Sequence, residues 1–304
     1  MRFKLRCWSA VLAAFVALVG CVGCVEVPLA GDPHWLQSGS PGGGFTTDAN
    51  ADVSATAGMV LIPAGDFWMG CNAAKDDSCD SDEVPQHQVT LSAYYMDPDE
   101  VTVDDYAACV SAGACSTSGL TEYGSCNWDK GGKGSHPINC VDWSQASAYC
   151  AWADKRLPTE AEWEKAARGG CETVTGDCKT GMQTYPWGEA AASCTYAVMN
   201  DSGSGGCGTG GTLPVGSKSP AGDGPYGLRN MSGNVWEWCA DWYDSGYYGS
   251  SPSTNPKGPA DGQLRVFRGG SWDFNGSLLR AAARDWITPG NRYNDLGFRC
   301  ARTP

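Results

Sequence analysis

The sequence predicts a single α+β domain with few strands and much coil, and three observations carry that expectation. Three segments between residues 102 and 168 have helix length and start on capping signals, and short apolar strands precede them. Beyond Gly170 regular periodicity lapses, and glycines, turns and tryptophans dominate as far as Pro304. Sixteen cysteines occur, of which Cys7, Cys21 and Cys24 lie near the N-terminus, leaving thirteen to staple a loop-rich domain.

The elements follow in chain order. Met59 to Pro63 is an apolar strand, and after a glycine turn Phe67 to Gly70 is expected to return as its hairpin partner. Gln88 to Met96 alternates as one strand. Thr102 to Val110 is a helix with Thr102 as N-cap and Asp104 and Asp105 in its first turn, where acidic groups suit the helix dipole. Ser144 to Ala153 is a second helix, with Ser144 as its cap. Thr159 to Arg168 is a third, begun by the capping-box spacing Thr159-Glu-Ala-Glu162 and ended by Gly169-Gly170. Arg156, Glu160 and Glu164 are expected to form a structural polar network at the base of this helix.

The chain's start reads differently. Arg2, Lys4 and Arg6 precede an apolar run from Trp8 to Val19 that is too short for an ordinary membrane span. Leu18-Val19-Gly20-Cys21 matches the bacterial lipoprotein cleavage pattern, so residues 1–20 read as a signal peptide and Cys21 as the acylated new N-terminus. Cys24 is a poorer site, because Cys21 would then fill an aliphatic position. Residues 21–57 are rich in Gly, Pro, Ser, Ala and Asp and read as the lipidated N-terminus and flexible tether, with the folded domain over 58–304. The expected location is the bacterial cell envelope, lipid-anchored. Val22 after Cys21 lacks the Asp that favours inner-membrane retention and points to the outer membrane.

The formal net charge is −13, with no Lys/Arg run beyond the leader. That excludes a nucleic-acid footprint and argues against binding an anionic lipid surface by charge. The three histidines, His34, His87 and His136, are scattered and show no zinc spacing.

Five cysteine pairs bracket polar or glycine-rich loops: Cys71/Cys79, Cys109/Cys115, Cys126/Cys140, Cys171/Cys178 and Cys194/Cys207. Cys150, Cys239 and Cys300 remain, and the odd count leaves one thiol free.

Four segments carry more specific information: Pro137 to Trp143 with the following Ala148 to Trp152; Lys155 to Gly169; Tyr226 to Trp238; and Arg265 to Trp272, closed by Leu296 to Cys300. In this order they resemble the formylglycine-generating enzyme, or sulfatase-modifying-factor, family, from about Gly58 to Arg302. The resemblance implies a loop-rich variant of the C-type lectin fold with little regular secondary structure. It also implies that Cys150 pairs with Cys300, leaving Cys239 alone.

Asn230 and Glu237 offer hard oxygen ligands, and Gly233 permits an unusual backbone angle, which suits calcium. The resemblance implies a structural calcium ion at Asn230, Gly233, Val235 and Glu237, with carbonyls from Gly233 and Val235. The segment matching the family's second calcium site, Tyr196 to Gly210, departs from its pattern, and no ion is expected there.

The family's oxidases convert a protein cysteine to formylglycine with oxygen and copper held by two cysteines, a soft thiolate pair suited to copper(I). That pair would lie just after Gly269-Gly-Ser271. Here Gly269 to Arg284 is shorter, contains no cysteine, and places Asp273, Phe274 and Asn275 where the first thiol belongs. Copper is therefore not expected. The histidines needed by the iron-dependent branch of the family are missing as well. Ser271, Trp272, Asp273 and Arg284 are the candidate cleft residues. Trp236, Trp242, Tyr243, Tyr247, Tyr248, Trp272 and Trp286 supply aromatic surface, with Tyr243 to Tyr248 expected to be exposed. The expected function is a lipid-anchored, non-oxidase domain that binds a peptide, a glycan or another envelope partner. The alternative is an oxidoreductase acting on a protein cysteine through a divergent site.

Overall fold

The computed structural model describes residues 56, 58–76, 78–201 and 203–304. The signal peptide, Cys21 and the tether, apart from Thr56, lie outside the described residues. No helix among the described residues is long and apolar enough to cross a membrane.

Among the described residues nine short strands and four α-helices are spread through coil. The strands are β1 (Val60–Ile62), β2 (Gly65–Met69), β3 (His87–Leu91), β4 (Tyr94–Met96), β5 (Trp236–Trp242), β6 (Arg265–Arg268), β7 (Arg284–Ile287), β8 (Leu296–Gly297) and β9 (Ala301–Arg302). The helices are α1 (Val103–Ser111), α2 (Trp143–Trp152), α3 (Glu160–Arg168) and α4 (Cys178–Gly181). The strands form three sheets: β1-β4-β9, β2-β3, and β7-β6-β5-β8.

The hairpin expected between residues 59 and 70 does not form. β1 pairs antiparallel with β4, placing Val60 opposite Met96, and β2 pairs with β3, placing Phe67 opposite Val89. Only Pro63 and Ala64 separate β1 from β2, and a two-residue hairpin turn needs positive φ values that proline cannot adopt. The strand expected over Gln88–Met96 likewise breaks at Ser92-Ala93. Ser92 N there donates to Asn255 Oδ1 at 2.8 Å, and the chain changes sheets.

The helix signals were more legible. Thr102 and Asp105 form a capping box on α1, as Thr159 and Glu162 do on α3. The second helix is capped two residues earlier than expected, by Asp142 and not by Ser144. Asp142 Oδ1 accepts from Gln145 N at 2.8 Å, and Gln145 Oε1 accepts from Asp142 N at 3.0 Å. Reciprocal capping needs an acceptor side chain of sufficient reach three residues on, which Asp142 has in Gln145 and which Ser144, with Ser147 in that place, lacks.

Every residue of α3 is buried, although its sequence is mostly charged. Glu160 and Glu164, four residues apart, share one helix face. Arg268 of β6 donates from Nη1 to Glu160 at 2.7 Å and from Nη2 to Glu164 at 2.5 Å. Arg284 of β7 adds a two-point contact to Glu160 at 2.8 and 2.7 Å. Gly70 N and Arg168 Nη1 also donate to Glu164, at 2.7 and 2.9 Å. Arg156 is not part of this network. It binds Glu162 at 2.6 and 2.7 Å, because Glu162 lies on the side of α3 where the chain enters.

Two apolar cores flank this arrangement. One gathers Ile62, Phe67, Val89 and Trp163, and the other gathers Tyr106, Tyr149, Trp238 and Phe298. Among the described residues six disulfides close: Cys71–Cys79, Cys109–Cys115, Cys126–Cys140, Cys150–Cys300, Cys171–Cys178 and Cys194–Cys207. Five clip local loops. Cys150–Cys300 instead joins α2 to the C-terminal segment across a separation of 150 residues. Among the described residues Cys239 is the one free cysteine, and it is buried.

Candidate functional site

After β6 the chain turns through Gly269 (φ +102°) and Gly270 (φ +70°). A Cβ on Gly269 would stand 2.9 Å from the Trp163 ring, and one on Gly270 would stand 2.7 Å from the Leu278 carbonyl, so both positions exclude a side chain. The turn delivers Ser271 into a fully enclosed position, where its Oγ donates to Asp295 Oδ2 at 2.7 Å. Burial raises the pKa of the Asp295 carboxyl, and the Ser271 hydrogen bond opposes that rise. Trp272 is buried, with Nε1 donating to Asn294 O at 3.3 Å and its own carbonyl accepting from Gly206 N at 2.7 Å. Asp273 is exposed, and its N–H donates to Ser271 Oγ at 3.3 Å.

Ser271, Trp272 and Asp273 therefore share one site. Arg284 does not belong to it: its guanidinium faces Glu160 and lies 4.3 Å from the Tyr248 ring centroid, on the α3 side of the sheet. The partners that complete the site, Asn294 and Asp295, escaped the sequence reading. The one signal that could have found them is their position immediately before Leu296-Gly-Phe-Arg-Cys300.

No cysteine stands in the Gly269–Arg284 segment. Cys239, on β5, is enclosed. Burial first, then the nearby carboxylates Asp241 and Glu160, push its thiol well above the usual range. That environment disfavours the thiolate, the form that attacks or binds metal.

The Asn230–Glu237 segment is a tight loop with positive φ at Asn230, Gly233 and Asn234. A Cβ on Gly233 would meet the Val198 carbonyl at 2.5 Å. Glu237 is heavily engaged: Arg299 donates to its two oxygens at 2.7 Å each, and Trp163 Nε1 donates at 2.8 Å. Asn230 Oδ1 accepts from Gly216 N at 2.7 Å. Beside this loop Glu100 Oε1 accepts from Asn234 Nδ2 at 2.9 Å, while Glu100 Oε2 is buried with no partner among the described residues. Burial pushes the Glu100 carboxyl up to about 8. The side-chain oxygens of Glu237 and Asn230 are thus engaged within the protein, and the buried polar atoms left without a partner at this loop are Glu100 Oε2 and Asn230 Nδ2.

The aromatic segment divides. Tyr243 stacks on Trp286, with centroids 4.1 Å apart, and Trp286 is 40% exposed. Tyr248, expected at the surface, is buried and donates to Glu160 Oε1 at 3.2 Å. The buried acid needs that donor, and supplying it draws the ring inward.

A polar hollow of about 290 Å³ borders the glycine loop at residues 209–211 and is lined by Lys130, Lys133 and His136. Burial and the adjacent Lys133 lower His136 to about 4, and its Nδ1 lies 2.9 Å from Thr212 Oγ1.

The architecture is the loop-rich α+β variant of the C-type lectin fold, with a serine–aspartate pair set behind a Gly-Gly turn. Over residues 45–304 the chain matches the family described as "Sulfatase-modifying factor enzyme 1-like domain", and it belongs to that family. The formylglycine-generating enzyme of Streptomyces coelicolor is 34% identical over 313 residues, covering 86% of this chain and 94% of that protein. The "Inactive C-alpha-formylglycine-generating enzyme 2" of Bos taurus is 37% identical over 174 residues, covering 54% and 50%. Among solved structures, PvdO from Pseudomonas aeruginosa superposes with a TM-score of 0.64 at 28% identity, covering 81% of this chain and 94% of that one.

His136 makes the pH dependence of this face testable. A histidine whose folded pKa is depressed stabilises the fold fully above its unfolded value of about 6.5 and loses that stability as pH falls towards its folded value. Between pH 7 and pH 4 the wild type is expected to lose on the order of 1–3 kcal/mol that His136→Gln does not lose. Urea midpoints at the two pH values measure this, and identical losses in both proteins would contradict the assignment.

Proposed function

We propose that this protein is a lipid-anchored, non-oxidase member of the sulfatase-modifying-factor family that binds a peptide, glycan or other partner in the cell envelope. The observation that carries the reading is the thiol inventory. The segment where the family's oxidases hold copper contains no cysteine. Twelve of the domain's thirteen cysteines are joined in disulfides, and the remaining thiol, Cys239, is sealed in the core. Asp273, the exposed acid at the cleft, is a hard oxygen ligand and a poor substitute for a soft thiolate on copper(I).

A second reading, oxidation of a protein cysteine through a divergent site, draws on the 34% identity to a formylglycine-generating enzyme. The two separate in one assay. The protein is loaded with copper(I) and incubated with a sulfatase-motif peptide, and the mass of the peptide cysteine is followed. No mass loss is expected. Turnover would establish the second reading.

The proposal includes a structural calcium ion at Asn230, Gly233, Val235 and Glu237. The unsatisfied Glu100 oxygen beside this loop supports a cation there. Exhaustive chelation is expected to lower the melting temperature and calcium to restore it. An unchanged melting curve after verified calcium removal would count against the ion.

The anchor rests on the Leu18-Val19-Gly20-Cys21 sequence and the outer-membrane placement on Val22. Cys21→Ala is expected to shift the protein from the membrane fraction to the soluble fraction or to block leader cleavage. Normal processing and membrane retention of that variant would remove the anchor from the proposal.

A further inference from the structure

Ten arginines lie among the described residues, and nine of them hold a carboxylate within 3.1 Å. Arg265 is the exception. In a chain of net charge −13, a guanidinium without a counter-carboxylate stands out from its surroundings.

Arg265 is also held rigidly. Its guanidinium carbon lies over two indoles, 3.9 Å from the Trp143 ring centroid and 3.4 Å from that of Trp242. One nitrogen, Nη1, donates to the Ala240 carbonyl, and Nε is enclosed without a partner. Nη2 makes no hydrogen bond among the described residues. With Nη1 engaged and Nε enclosed, the Nη2 edge of the guanidinium is left for recognition, and its charged donors suit a carboxylate.

This edge lines a cleft of about 590 Å³, within the usual size range of small-molecule sites. Lys257 lines the same cleft, exposed, and its ammonium has no ion pair among the described residues. The third cation of the cleft, Arg156, is already neutralised by Glu162. Ser92 and Ser147 offer hydroxyls, and Leu91 and Leu157 an apolar wall.

The cleft is distinct from the Ser271 site. Arg265 begins β6, whereas Ser271 lies three residues beyond its end at Arg268, past the Gly-Gly turn, and none of Ser271, Trp272, Asp273, Asn294 and Asp295 lines the cleft.

We propose that this cleft binds a carboxylate-bearing sugar of hexuronate size, with its carboxylate on Arg265 and Lys257 and its hydroxyls on the serines. The guanidinium donors of Arg265 suit a carboxylate, and Lys257 in the same cleft adds positive charge for an anionic ligand. Hydroxyl donors beside an apolar wall suit a sugar ring. The inference stands whether or not the domain is an oxidase, because it uses none of the residues of the Ser271 site.

The test is calorimetric titration of the purified protein with D-glucuronate, D-glucose and inorganic phosphate. Saturable binding of D-glucuronate is expected, together with none of D-glucose and weaker binding of phosphate. Arg265→Gln is expected to abolish binding. Because that change also removes an indole-stacked side chain, Lys257→Glu at an exposed position serves as the second variant and is expected to raise Kd by about tenfold or more. Four results would each overturn the proposal: no saturable D-glucuronate binding to the wild type, equal binding of D-glucose, tighter binding of phosphate, or an unchanged Kd in Lys257→Glu.

Discussion

The structure depends on the contact between α3 and the four-stranded sheet, and that contact is ionic. Glu160 and Glu164 receive Arg268 and Arg284 from β6 and β7 in a fully enclosed space, with Tyr248 and Gly70 N completing the acceptor sites. Desolvating such groups is expensive, and removing one member of a buried pair costs about 3–5 kcal/mol, because the survivor is left charged and unpaired. The network therefore demands completeness more than it supplies excess stability. It also explains how a helix composed largely of charged residues can be buried along its whole length.

The remainder is coil held at intervals. Five local disulfides clip loops that carry little regular hydrogen bonding, while Cys150–Cys300 fastens the chain's end to α2. In the chain-entropy view the long closure restricts the unfolded chain most, and the short ones mainly fix local geometry. Glycines at positive φ let the Gly-Gly turn approach Trp163 and the Asn230–Glu237 loop approach Val198 closely, and Gly233 N ties the two by donating to Gly269 O at 2.8 Å. The two candidate sites of this face are thus by-products of one packing arrangement.

The chemistry separates by exposure. Buried arginines are structural without exception among the described residues, since each is matched to a carboxylate. Arg284 illustrates the point: its position after the Gly269–Ser271 turn suggested a cleft residue, yet its guanidinium is consumed by Glu160. Arg265, partly exposed and stacked between indoles, keeps donors to spare. The distinction lies in the partners each residue meets and not in the residue type.

Helix starts, local disulfide loops and the missing thiols of the Gly269–Arg284 segment were legible in the sequence, because each depends on residues a few positions apart. Capping boxes act across three residues, a Cys-bracketed loop across about ten, and the absence of cysteine from one short segment is read directly from its residues. The family, too, was legible from four motifs in order. What only the tertiary structure decided are the long-range pairings: β1 with β4 and not β2, Glu160 with Arg284 and not Arg156, Ser271 with Asp295, and Arg265 with no carboxylate at ion-pair distance among the described residues. A strand or an ion finds its partner by competition among many surfaces brought together at once. The chain's local order does not encode which of them will be nearest once the core has closed.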